Sequence, residues 1–296
     1  MRCLSIHLTD LCNSRCSFCV VGSPHYAQDS IKLSDVEQFL TSHAGKGWDV
    51  LNLHGGEATI HKHFIDILEL ARTLKYPEVH LQTNAIRLAD RAFAETVANL
   101  GVTLGIVSLH GHTAELQDAL TGTRGGFSRT ISGIQNLRKL GVAVRTNTVI
   151  LSSNVHELEH IAEVACDLDV GHVNISNLHP VGSATFSFEN SAVSFCDVRP
   201  RLLASIELVK ARGKVITLEG FPYCTIPEHE DLHLNEQGRQ IKMLMRGLVI
   251  DDYDQFMNTT CRRYGDVCEP CKVRSRCGGV YPEYLARRGW SEFHAY

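Results

Sequence analysis

Short β-branched apolar runs alternate with stretches whose apolar residues recur every three or four positions through roughly the first 220 residues. The strand-like runs are 3–8, 50–54, 78–82, 103–108, 143–150 and 172–176, with a seventh near 214–218. The helical patterns are 33–42, 64–74, 89–100, 128–140, 158–168 and 197–212. Gly101, Gly141 and Gly213 follow three of the helical patterns, where a residue of positive φ closes a helix. Strand–helix alternation of this length predicts right-handed crossovers and a parallel sheet. The expected fold class is α/β, a partial (βα)6 TIM-like barrel over 1–219, followed by a small second unit over 220–296. Gly220-Phe-Pro-Tyr-Cys224 marks the boundary. Residues 180–194, rich in Ser, Phe and Gly without periodicity, are expected to form a loop.

Chemistry in such folds gathers at the carboxyl ends of the strands. After the first strand comes Cys12-Asn-Ser-Arg-Cys16-Ser-Phe-Cys19, a C-x3-C-x2-C spacing. Three close thiolates can hold a cubane iron–sulfur cluster by three of its four irons, leaving one iron open. A structural zinc would need a fourth closed ligand, and only His7 and His25 flank these thiols. A disulfide is disfavoured by the crowding and the odd number. His54-Gly55-Gly56-Glu57 follows the second strand. Two glycines let the backbone approach a ligand closely, although a bare strand-end turn would use them too. Ser108 and Asn147 end or lie late in further strands. Arg145 interrupts an apolar strand, and a charge there calls for an anionic partner, whether a structural carboxylate or a ligand. His54, His110, His112 and His179 crowd the same rim in a chain with sixteen histidines.

Composition narrows the classes. The chain has 296 residues, 44% hydrophobic and 21% charged, as in an ordinary globular protein. A net charge of −4 with scattered Lys and Arg leaves no basic footprint, so nucleic acid is not expected as a partner. No apolar run is long enough to span a membrane, and the N-terminus enters a strand without a signal peptide, so a cytoplasmic location is expected. Eleven cysteines in such a chain point to metal or redox chemistry. Cys3, Cys166 and Cys196 are isolated and are expected to be small buried hydrophobes. The rest form the first set and a second, Cys268-Glu-Pro-Cys271-Lys-Val-Arg-Ser-Arg-Cys277, with Cys224 and Cys261 upstream. Five thiols here compete for at most four seats, and a zinc ribbon is the rival to iron–sulfur.

The segment Leu8-Thr-Asp-Leu-Cys-Asn-Ser-Arg-Cys-Ser-Phe-Cys19 resembles the signature of the radical S-adenosylmethionine (SAM) superfamily. That resemblance implies a 4Fe–4S cluster on Cys12, Cys16 and Cys19. Its open iron chelates SAM, and one electron splits SAM to methionine and a 5'-deoxyadenosyl radical. Gly55-Gly56-Glu57 is similar to the superfamily's GGE motif, which contacts the SAM amino group. Ser108, Arg145 and Asn147 stand where related enzymes hold the SAM ribose and carboxylate. The second cysteine set, with Gly278-Gly-Val, Tyr284 and Gly289, resembles the auxiliary-cluster domains called SPASM and twitch. Position 281 is Tyr and no cysteine follows Cys277, so one auxiliary 4Fe–4S cluster in a shortened, twitch-like domain is expected. Phe-Pro-Tyr-Cys224 paired with Cys268, Cys271 and Cys277 resembles the layout of several relatives, which makes Cys224 the fourth ligand and Cys261 spare or exchangeable.

The resemblance implies an enzyme fed electrons by a flavodoxin- or ferredoxin-type donor. It would abstract hydrogen from a small molecule, a nucleoside or sugar in natural-product biosynthesis. Maturation of a ribosomally made peptide by epimerisation or crosslinking is the alternative. With the first strand beginning at Cys3, an N-terminal leader-binding domain, common in peptide-modifying relatives, is not expected, which favours the small molecule. The opening run through Gly22-Ser-Pro24 is also similar to the radical SAM family of the tunicamycin nucleoside-antibiotic pathway. A non-enzymatic iron–sulfur carrier or sensor would explain the cysteines but not the GGE turn or a ligand-sized barrel.

Overall fold

The computed structural model describes residues 1–23, 29–234 and 240–296; Pro24 and His25 lie outside them. Seven strands in chain order lie side by side and parallel. They are β1 (Arg2–His7), β2 (Val50–His54), β3 (Glu78–Thr83), β4 (Val102–Ser108), β5 (Ala143–Val149), β6 (His172–Ser176) and β7 (Val215–Glu219). The crossovers carry helices α1 (Leu33–His43), α2 (Phe64–Thr73), α3 (Arg91–Asn99), α4 (Ala114–Thr121), α5 (Gly126–Lys139), α6 (Leu158–Asp167), α7 (Ala184–Ser191) and α8 (Phe195–Ala211). Gly101, Gly141 and Gly213 take positive φ where three helices end. The fold is the expected α/β partial barrel, with its sheet left open.

Parallel strands covered on both faces usually carry continuous apolar runs. Here they alternate. Leu4, Ile6, Leu51, Leu53, Leu81, Val107, Val144, Val173, Ile175, Ile216 and Leu218 enter one core beneath the helices. The intervening positions carry Ser5, His7, Asn52, His54, His80, Arg145, Asn147, His172, Asn174, Ser176, Thr217 and Glu219 on the concave face. The registers Leu4↔Leu51, Ser5↔Asn52 and Asn147↔Asn174 keep the two sets apart from strand to strand. The result is a groove lined with hydrogen-bonding groups over an apolar outer layer.

Two expectations are corrected. Residues 180–194 contain α7 rather than only loop; its buried pair Ala184 and Phe188 is spaced i, i+4, too little apolar signal among Ser and Asn to show a period. Cys196 is exposed rather than buried, because it occupies the solvent side of the first turn of α8. The sheet of the expected barrel also gains two strands at its β1 edge. Beyond β7, strand β8 (Gln240–Met245) pairs parallel with the free edge of β1, Arg2 against Gln240 through His7 against Met245. Strand β9 (Leu248–Ile250) then folds back antiparallel on β8. Arg246 and Gly247, both at positive φ, make the two-residue turn between them.

The remaining chain forms α9 (Tyr253–Phe256), an irregular segment containing most of the second cysteine set, and α10 (Pro282–Arg288). It docks on α8 through aromatic rings, with Phe195 4.9 Å from Tyr284 and 5.5 Å from Phe293.

Candidate active site

The first cysteine loop is held from two sides. On one side the Gly56 N–H donates to the Thr9 carbonyl at 2.6 Å and the Glu57 N–H to the Leu11 carbonyl at 2.8 Å. A Cβ on Gly56 would lie 2.3 Å from the Leu11 carbonyl oxygen, and one on Gly55 2.5 Å from that of Thr9. Glycine is therefore required at both positions for β2 to meet the loop. The Glu57 carboxylate is fully buried, and burial pushes its pKa up. It accepts hydrogen bonds from the Thr59 N–H and hydroxyl, the Thr83 hydroxyl and the Asn84 N–H, at 3.1, 2.7, 2.7 and 2.7 Å. Four donors make it a staple between the ends of β2 and β3. Asn84 then passes the restraint to the loop by donating to Asn13 at 2.6 Å.

On the other side the Arg15 N–H donates to the Thr121 carbonyl at the end of α4, and the Ser183 N–H to the Cys19 carbonyl, both at 2.8 Å. The φ of Gly182 is +62°, and a Cβ there would strike the Cys19 carbonyl oxygen at 2.3 Å.

Held in this way, Cys12, Cys16 and Cys19 are half-buried at the carboxyl end of β1. Burial pushes the Cys12 thiol up to about 11 and the Cys16 thiol higher still, and the neighbouring thiols add like-charge repulsion. Three such thiolates need a compensating cation. Three thiols on one short loop suit a cubane held by three of its irons.

Of the residues expected to surround SAM, Asn147 is committed to a network across three strands. Its Oδ1 accepts from Asn174 at 2.7 Å and from Ser176 at 2.6 Å. Both donors also reach Glu219, at 3.1 and 3.3 Å. Arg145 lies deeper on β5, level with His172, whose pKa falls to about 4 through burial and the Arg145 charge. Ser108 is half-buried at the end of β4. The sequence reading missed Asn174, Ser176 and Glu219; the signal that could have found them is their place at alternate positions of their strands.

Four of the five thiols of the second set lie together. Cys224, Cys268, Cys271 and Cys277 line one small pocket with Tyr223, Val280 and Phe293. Burial raises the Cys224 and Cys277 thiols, with the neighbouring cysteines adding to it. The Gly279 N–H donates to the Cys277 sulfur at 3.4 Å. Cys261 is not in this pocket; its charged neighbours are Arg262, Glu283 and Arg263.

Beside the pocket a cavity of about 850 Å³ joins the concave face of the sheet to the cysteines. Glu219 and His179 form its sheet end, Asp252 and Asp254 one wall, and Arg262, Lys272, Arg274 and Arg276 border Cys271 and Cys277. Arg262 is buried, with its guanidinium 5.1 Å over the Tyr281 ring and its Nε without a hydrogen bond among the described residues.

His110 packs its ring edge against Phe18 at 4.8 Å, and its Nδ1 accepts the Val149 N–H at 3.2 Å, so the neutral ring carries its proton on Nε2. Burial lowers its pKa to about 4. Between the unfolded value of 6.5 and about 4, the unfolded chain binds a proton that the native chain refuses. Stability is therefore full above that window and falls as the pH drops through it, by about 3 kcal/mol. His110→Gln is expected to flatten the fall in urea midpoint between pH 7 and 4. An unchanged slope would refute the assignment.

Comparison with known proteins agrees with this geometry. The model of the Radical SAM superfamily matches residues 6–165, more than half of the chain. Probable GTP 3',8-cyclases of Saccharolobus islandicus are 31% identical over 189 residues, and that of Saccharolobus solfataricus 30%. The aligned region is 63% of this chain and 60% of those proteins, so the chain spans under two thirds of their length. Among solved structures, Streptococcus suis SuiB bound to S-adenosylmethionine superposes with a TM-score of 0.74 at 17% identity, covering 99% of this chain and 76% of SuiB. The structure of anSMEcpe with bound AdoMet gives 0.60 at 18% identity, covering 74% and 64%.

Proposed function

Because the chain belongs to the radical SAM superfamily, we propose that it is an enzyme that removes a hydrogen atom from a small polar substrate, a nucleoside, nucleotide or sugar. The superfamily's cofactors are a 4Fe–4S cluster and SAM, which when bound supply the one-electron cleavage that yields a 5'-deoxyadenosyl radical. Cys12, Cys16 and Cys19 would hold that cluster. Cys224, Cys268, Cys271 and Cys277 would hold the auxiliary one, in a unit taken as 220–296. Gly55, Gly56 and Glu57 keep the first loop in register with β2 and β3. Ser108, Arg145 and Asn147 offer polar groups toward SAM along the concave face.

The observation that carries the substrate reading is the cavity running from Glu219 to Cys271 and Cys277. Its size suits a small ligand, and its cationic and acidic walls suit one with both anionic and hydrogen-bond-donating parts. The relatives named as probable GTP 3',8-cyclases favour a nucleotide. A place in natural-product biosynthesis and a flavodoxin- or ferredoxin-type donor belong to the same proposal. The rival is a peptide substrate, favoured by likeness of fold to SuiB, which has been solved with its precursor peptide SuiA.

The test is anaerobic incubation of the reconstituted enzyme with SAM and dithionite, alongside panels of nucleotides, sugars and peptides. Stimulated 5'-deoxyadenosine release with a nucleotide or sugar supports the reading, and stimulation by peptides alone overturns it. A mere electron carrier would leave SAM intact. Glu219→Gln is expected to raise KM for the stimulating substrate by about tenfold, the effect of about 1.4 kcal/mol of binding. An unchanged KM would remove Glu219 from the substrate site.

A further inference from the structure

On the rim beyond β4, in neither cysteine set, His112 comes together with Glu157 and His160, and their ligand atoms all lie within 4.8 Å of one another. His112 belongs to the loop between β4 and α4. Glu157 immediately precedes α6 and His160 lies in its first turn, spaced i, i+3 so that both side chains leave one face. Glu157 Oε2 is 3.1 Å from His160 Nδ1 and 3.8 Å from His112 Nδ1, and the two imidazole centroids are 5.1 Å apart.

Glu157 lies within ion-pair distance of both imidazoles, but only His160 is close enough to hydrogen-bond to it. The His112 Nδ1 is buried and makes no hydrogen bond among the described residues, and 3.8 Å to the carboxylate is too long for one. A buried nitrogen left idle is costly. The separation instead approaches that of two atoms bonded to one small cation, since bonds of about 2.0–2.2 Å at tetrahedral angles put ligand atoms about 3.3–3.6 Å apart.

We propose that His112, Glu157 and His160 form a binding site for a divalent transition metal, zinc by the chemistry of two imidazoles and one carboxylate. Water completes the coordination, and the ion ties the loop after β4 to α6. His112 follows two residues after His110, which packs on Phe18 in the first cysteine loop, so the ion steadies a wall on which that loop rests.

The test is equilibrium dialysis of the cluster-loaded enzyme against zinc, read by elemental analysis, for the wild type, His112→Ala and His160→Ala. The expected result is one zinc per chain in the wild type and an affinity at least about tenfold to a hundredfold lower in each variant. Zinc should raise the unfolding temperature of the wild type and not of the variants. His160 is 61% exposed, so its replacement leaves the fold intact. A wild type that holds no zinc at micromolar free metal, or a His160→Ala protein that holds as much as the wild type, overturns the proposal.

Discussion

Replacing Cys12, Cys16 and Cys19 together with alanine is expected to lower 5'-deoxyadenosine formation by about a thousandfold or more, a change of about 4 kcal/mol in the barrier. The three sulfurs are the thiols on the loop at the carboxyl end of β1. The second set lies on a different part of the chain and should keep its iron. The reconstituted triple variant should therefore hold about four irons per chain against about eight in the wild type. Iron and sulfide analysis together with chromatographic measurement of 5'-deoxyadenosine decides the matter. Appreciable SAM cleavage by the triple variant would refute the assignment of these cysteines.

The second large effect separates two cysteines that the sequence leaves in competition. Cys224→Ala removes one of the four thiols lining the pocket between Tyr223 and Phe293. Cys261→Ala removes a thiol outside that pocket, at the end of the turn 257–261. Cys224→Ala is expected to lose the auxiliary EPR signal and about half of the total iron, on the rule that a cubane needs three or four thiolates held in place. Cys261→Ala should retain both. Loss of the signal in Cys261→Ala alone would reverse the two roles. Stoichiometric zinc at the second set, with only about four irons in the wild type, would restore the zinc ribbon.

Much of this was legible because the informative features are local. The three thiols of the first loop, the glycine pair after β2 and the helix-closing glycines all act within a few residues of themselves. Glu57 was harder to read. Its motif suggested a ligand contact, and its carboxylate also accepts from Thr59 two residues on and from Thr83 and Asn84, which only the pairing of β2 with β3 brings near. Asn174 and Glu219 were missed for a related reason. A polar residue within an apolar strand shows its purpose only when the neighbouring strands place Asn147 and Ser176 against it. Strand β8 escaped because Gln240-Ile-Lys-Met-Leu-Met245 carries little β-branched character, and its partner lies at the far end of the chain.

That partnership governs when the protein can become itself. Arg2 pairs with Gln240, 238 positions later, so β1 waits for a strand made much later before both of its edges are satisfied. Closing so long a loop is slow, and an edge strand left open in the meantime can pair with the wrong chain. Strand β1 also leads directly into the first cysteine loop. Delivery of iron and sulfide during synthesis would therefore meet a half-built cradle, and maturation of the first centre is tied to the arrival of β8.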